Sequence, residues 1–265
     1  MDTGTSRWRV VAQRVAVFAC GLLLTACAST GPTETTRFLQ YPEYGAVQEG
    51  HLTIAPIDPQ FLSEPNRRKT VGYYGAEPPG TIVVDPYAKF LFLVQDGGTA
   101  IRYPIAVGRE GRGFSGQATI GRKAEWPGWT PTPNMIRTEP EKYAAFANGI
   151  PGGKASPLGA RALYLYRGNR DTFFRIHGTN EPSTIGNQGS AGCIRLFNQD
   201  IIDLHARTSV GAQVIVRTYD QSVSAEGIEM ANRGGEMVPK PVDPVQVYAF
   251  VEEEARRKAE YEAGL

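Results

Sequence analysis

The sequence predicts a mostly β domain, sandwich- or barrel-like in form, with a few short helices. Three observations carry that reading. Short runs of branched and aromatic residues recur between turn signals across residues 80–217. Glycine and proline number 30 and 19 of the 265 residues, a supply that suits a chain of many tight turns. Helical spacing holds over only two longer stretches, residues 199–208 and 243–263. Lys and Arg number 28 against 27 Asp and Glu, so the charge gives no sign of a nucleic-acid partner.

Taken in order, the chain begins with a processing signal. Arg7, Arg9 and Arg14 precede an apolar run at residues 15–24 that is too short to span a bilayer as a helix. The run ends in Leu24-Thr25-Ala26-Cys27, which resembles the lipobox of bacterial lipoproteins. The resemblance implies cleavage before Cys27 and lipidation of that cysteine, with anchoring made stable by two or three acyl chains. Ala28, in place of an aspartate, favours the outer membrane, with the protein facing the periplasm. The expected organisation is a signal peptide at 1–26, a lipidated tether and N-terminal wrap at 27–79, the main domain at 80–217, and a flexible segment followed by a charged helix at 218–265.

In the wrap, Leu52, Ile54, Tyr73 and Tyr74 are expected to pack on the domain, and His51 to be a surface or packing residue. Strands follow at residues 81–84 and 89–94. Asp96-Gly97-Gly98 then turns the chain into a return strand at 99–107, whose Pro104 suits an edge or a bulge. The glycine-rich segment 108–116 lacks phosphate-loop spacing, which argues against nucleotide binding. After a strand at 118–123, Trp126 and Trp129 stand among prolines, either lining a groove or capping the core. A short helix is expected at 139–147 and a turn at Ser156-Pro157-Leu158-Gly159. Two adjacent strands, 162–166 and 173–176, then lead to His177. Asn198 suits the N-cap of the helix at 199–208, with Ile201, Ile202 and Leu204 inward and Gly211 closing it. His205 on that helix reads as a packing residue. The last strand is 213–216, residues 219–242 show no periodicity, and Asp243-Pro244 opens the final helix. Glu253/Arg257 and Glu254/Lys258 are at pairing distance there, and Val247, Phe250 and Val251 are available for docking.

The chemistry concentrates at residues 176–196, IHGTNEPSTIGNQGSAGCIRL. Cys20 would leave with the signal and Cys27 would carry lipid, so Cys193 is the one thiol of the mature chain. An exported lone thiol is a liability unless it is used. Cys193 is the candidate nucleophile and His177 the base that would deprotonate it and return the proton to a leaving amine. Backbone N–H groups around Ala191, Gly192 and Cys193 could form an oxyanion hole, with glycine allowing close approach. Arg195 could hold a substrate carboxylate or a carbonyl network. Three histidines with one remaining cysteine do not make a metal site, and no cofactor is implied.

At these residues the sequence resembles the L,D-transpeptidase catalytic domain of the YkuD/ErfK type. The match rests on His177-Gly178 and on Ser190-Ala191-Gly192-Cys193-Ile194-Arg195. Upstream support comes from Ile82-Val83-Val84, the Tyr103-Pro104-Ile105-Ala106-Val107-Gly108 segment and Ser156-Pro157-Leu158-Gly159. The resemblance implies that Cys193 attacks the carbonyl before the terminal D-Ala of a peptidoglycan stem peptide. The resulting thioester would pass to an amine: a second stem giving a 3–3 cross-link, or a protein such as an acceptor lipoprotein. Water in that role would make a hydrolase or carboxypeptidase. Ser190, Gly192, Gly178 and Arg195 would shape the site. Many members have histidine where this chain has Ala191, so proton transfer would rest on His177 alone. The alternative is a non-catalytic wall-binding lipoprotein that uses the same cleft.

Overall fold

The computed structural model describes residues 1, 40–108, 114–189, 193–235 and 242–264. Cys27 and the rest of the expected signal and lipobox lie outside the described residues, as does most of the glycine-rich segment after Gly108. The wrap contributes β1 (Val47–Glu49), β2 (Leu52–Ile54) and β3 (Lys69–Gly72). The body follows with β4 (Ile82–Asp85), β5 (Phe90–Gln95), β6 (Thr99–Pro104), β7 (Ala106–Gly108) and β8 (Gly116–Glu125). A long excursion with α1 (Pro133–Thr138) and α2 (Pro140–Tyr143) separates β8 from β9 (Arg161–Arg167) and β10 (Arg170–His177). After β11 (Gln188–Gly189) and β12 (Ile194–Arg195) come α3 (Asn198–Arg207) and β13 (Gln213–Val216). The chain closes with α4 (Tyr219–Glu226), α5 (Ile228–Ala231) and α6 (Pro244–Glu262).

Among the described residues β1 and β2 form a hairpin, and the other eleven strands form one mixed sheet in the order β11-β7-β12-β10-β9-β8-β13-β4-β5-β6-β3. Three pairs are parallel (β10/β12, β11/β7 and β13/β4) and the rest are antiparallel. The sheet curls around a single interior. Ile82 and Leu91 from one half meet Leu163, Ile176 and Ile194 from the other, with Ile201 and Leu204 of α3 entering from the side. Each such Ile or Leu contributes about 1.5–3 kcal/mol by leaving water, which makes this cluster the main stabilising term. β4 and β5 are buried on both faces. Phe90, Phe92 and Val94 point away from the interior and are covered by Tyr73 from the wrap and Met230 from α5. A strand covered on both sides needs a continuous apolar run rather than alternation, and Phe90-Leu91-Phe92-Leu93-Val94 supplies it.

Several local expectations change. Residues 219–226 and 228–231 are helical, not structureless, on either side of Gly227. Thr218 and Gln221 form a reciprocal capping box on α4, and Ser222 donates to the buried carboxylate of Asp85 at 2.7 Å. Asn198 does not cap α3. Phe197 holds the N-cap position, and Asn198 occupies the first helical turn with its amide turned back to the chain before β9. Tyr73 packs as expected, but Tyr74 is fully exposed. On α6 the Glu253–Arg257 pair forms, whereas Lys258 meets Glu262 and Glu254 is buried elsewhere. Both tryptophans are half-buried. Trp126 donates to Glu49 at 2.8 Å and Trp129 packs on Tyr143 and Phe146, so they serve the packing role.

Candidate active site

His177 is the last residue of β10. Ile176 before it points into the interior, so strand alternation turns His177 to the opposite face. The ring is 4% exposed, and its Nδ1 lies 2.6 Å from the carbonyl oxygen of Gly178. A carbonyl only accepts, so this contact is made by the Nδ1–H tautomer, whose lone pair is on Nε2; the Leu158 backbone also favours a proton on the ring. Gly178 is itself fixed, since its N–H donates to Arg161 O at 3.0 Å. A Cβ on Gly178 would fall 2.2 Å from Asn198 Oδ1. Glycine is required there by close approach of α3, and the Asn198 amide spans from Ala160 N–H to Thr179 O.

Burial pushes the His177 imidazole down to about 3, and the nearby positive charge of Arg195 acts in the same direction. The ring is therefore neutral at physiological pH, the form able to accept a proton.

β12 lies between β10 and β7. It runs parallel to β10 with His177 opposite Arg195, and antiparallel to β7 with Arg195 opposite Ala106. Cys193 stands just before β12, two residues ahead of Arg195, and is half-buried. Its carbonyl accepts from Gly108 N–H at 3.3 Å, tying it to the end of β7. Arg195 pairs with Glu181 at 3.3 Å. Burial lowers the affinity of its guanidinium for its proton, while Glu181 and Cys193 pull the other way. Cys193 thus lies within the electrostatic reach of Arg195, which is the residue paired with His177. A cation beside a thiol favours the thiolate.

The expected site residues are therefore brought together in part. His177, Gly178, Cys193 and Arg195 converge where β10, β12 and β7 meet. Ser190, Ala191 and Gly192 lie outside the described residues. His51 rests against Tyr261, and His205 stays on α3 with its carbonyl accepting from Lys123, so neither joins the site. The structure gives three further residues a place at the site, Asn198 among them in a role other than the N-cap expected of it. Glu181 anchors Arg195, Asn198 braces Gly178, and Tyr143 of α2 is close enough to act on Arg195 electrostatically. Tyr143 belongs to the excursion after β8, which thereby comes within electrostatic reach of Arg195. Spacing along the chain holds no signal for these three.

Residues 79–216 match the YkuD family, described as the L,D-transpeptidase catalytic domain. The chain belongs to that family. It is 35% identical over 201 residues to the "Probable L,D-transpeptidase ErfK/SrfK" of Escherichia coli K12, covering 74% of this chain and 61% of that protein. It is 32% identical over 151 residues to "Probable L,D-transpeptidase YbiS" of the same organism, covering 55% and 46%. The chain thus spans about half to three-fifths of the length of these relatives. The solved structure of a "Probable carnitine operon oxidoreductase caia" from Brucella melitensis is 48% identical, covering 60% of this chain and 98% of that one. Its TM-score is 0.42, too low for the superposition to bear on the site.

Proposed function

We propose that the protein is a peptidoglycan L,D-transpeptidase with Cys193 as nucleophile and His177 as base. The observation that carries this reading is the Nδ1 contact with Gly178 O, which leaves Nε2 as the acceptor on a neutral ring in the strand beside Cys193. Sγ gives its proton to Nε2, and the thiolate adds to the stem-peptide carbonyl before the terminal D-Ala. The tetrahedral intermediate collapses as the imidazolium returns the proton to the leaving amine, giving a thioester on Cys193. An amine acceptor then attacks the thioester, loses its proton through His177, and the thiol is regenerated. His177 is buried and disfavours a proton on its own. Its imidazolium is therefore stable only while the thiolate or oxyanion is present, which couples proton transfer to bond formation. N–H groups at Ala191, Gly192 and Cys193 are the proposed oxyanion donors, with Ser190 shaping the approach.

The acceptor follows from competition between amines and water. A second stem gives a 3–3 cross-link, the terminal amine of an acceptor lipoprotein gives wall attachment, and water gives carboxypeptidase products. Offering labelled tetrapeptide stems and separating products by mass tests this. Cross-linked dimers should exceed tripeptide. Tripeptide alone would make the protein a hydrolase, and no conversion by the folded protein would contradict catalysis. The lipobox supports a lipid anchor at Cys27, a periplasmic position and the outer membrane. Globomycin should then block processing, and the mature form should fractionate with outer-membrane material; processing indifferent to globomycin would refute the anchor.

A further inference from the structure

The sheet face that carries His177 continues away from it along β10, β9 and β8. Register places Arg175 opposite Tyr164, and Tyr164 opposite Arg122. Two bulges flank this row. One interrupts β8 between Ile120 and Arg122, where Gly121 lies flat against the Tyr166 ring; the other interrupts β10 between Asp171 and Arg175. Bulges re-aim side chains and gather near active sites. The first turns Arg122 onto the Tyr164 ring, with its guanidinium carbon 3.5 Å from the centroid, and Arg175 stands 4.3 Å from the same centroid. The second also displays Phe173, 70% exposed at φ 62. That conformation is costly for a bulky side chain, and here Asp171 Oδ1 holds it by accepting Phe173 N–H at 2.8 Å.

The two guanidiniums are not equivalent. Arg175 is neutralised by Asp171 through contacts of 2.7 and 2.8 Å. Arg122 is exposed and makes no direct ion pair among the described residues, its charge reaching Asp171 only at longer range than that of Arg175. Stacking fixes the plane of a guanidinium and leaves its N–H edge open, which suits bidentate capture of a carboxylate. From strand spacing and rise, Arg122 lies two strands across and two residues along from His177, a backbone separation of roughly 12 Å. Cys193 precedes β12, one strand beyond β10, so an extended peptide held there spans roughly 14 Å to Arg122, about four residues.

We propose that Arg122, ordered by Tyr164, is the receptor for a carboxylate of the peptide substrate other than the one on the leaving residue. The proposal rests on the stem-peptide reading above and makes Arg122 a specificity determinant of the same site.

The test uses the full chain carrying Cys193→Ala, so that binding is read without turnover. Two synthetic tetrapeptide stems are titrated calorimetrically, one with its non-terminal carboxylates present and one with them amidated. The amidated stem should bind at least about tenfold more weakly. Adding Arg122→Gln should remove that difference by weakening only the carboxylate form, with an unchanged thermal melt, and Arg122→Lys should restore part of it. Equal affinity for both stems, a uniform loss in Arg122→Gln, or no binding of either stem would overturn the assignment. Acylation of wild-type Cys193 by either stem is measured separately. Absence of acylation counts against the transpeptidase reading, and acylation without carboxylate discrimination counts against Arg122 alone.

Discussion

His177 and Cys193 have different margins for substitution. Cys193→Ala removes the proposed nucleophile from a half-buried position, so activity should fall by about 10⁴-fold or more while the melting temperature barely moves. His177→Gln should cost a similar factor in acylation, because an amide cannot take the thiol proton. The same substitution reports on pH. The His177 imidazole is depressed to about 3 in the folded chain, against about 6.5 unfolded. Between those values the unfolded state binds the extra proton, so His177 makes stability rise with pH and withdraws it as pH falls from about 6.5 towards 3. Asp200 acts in the opposite sense. Burial raises its carboxyl to about 7, so its contribution is complete below about 4 and is lost as pH rises through 7. Denaturation midpoints measured from pH 4 to 8 should therefore show that His177→Gln removes a rising component and Asp200→Asn a falling one. Unchanged slopes in either variant would contradict the assignment.

The excursion between β8 and β9 brings Tyr143 near Arg195, and α6 holds it in place. Both carboxylate oxygens of Glu254 lie 3.1 Å from Lys154 N–H, Tyr248 donates to Gly149 O at 3.2 Å, and its ring packs on Phe146. Glu254→Ala should lower stability by about 1–3 kcal/mol, as expected for a buried donor left unmatched. Hydrogen exchange at the Lys154 amide should speed up, and exchange across β4 and β5 should not; an unaltered Lys154 amide would refute the clamp. The sequence shows α6 plainly, because 19 residues with an Asp-Pro start leave little ambiguity. It does not show which of its glutamates is buried, since Glu253 and Glu254 sit alike in an i,i+4 pattern and only the docked loop separates them. α4 was legible in principle from Thr218 and Gln221, a capping-box pair. Its eight residues were too few for periodicity to register.

At the scale of the molecule the wrap is part of the domain. β3 pairs with β6 at the sheet edge, and Tyr44 is 1% exposed with its ring edge-on to Phe197, next to the site strand. Its hydroxyl donates to Asp200 at 3.2 Å and accepts the Arg68 N–H. Tyr44→Ala should cost about 3–5 kcal/mol and move a single cooperative transition to lower temperature. A separate early transition would show that the wrap melts alone. The mostly β class was readable because strand runs are local features, and His177 and Cys193 stood out through their glycine-flanked motifs. The order of the eleven strands was not, since β7, β11 and β12 have two or three residues each and gain their places through long-range pairing. The Arg122–Tyr164–Arg175 stack was hidden for the same reason: two bulges and three strands are needed to assemble it.

In the proposed reaction Cys193 forms a thioester with a stem peptide by passing its proton to His177. Intact-mass analysis of the protein incubated with a tetrapeptide stem measures this directly. The expected result is an adduct equal to the stem minus its terminal D-Ala, mapped to Cys193, absent in Cys193→Ala and formed far more slowly in His177→Gln. A folded protein that acquires no adduct, or acquires it at another residue, would contradict thioester formation at Cys193.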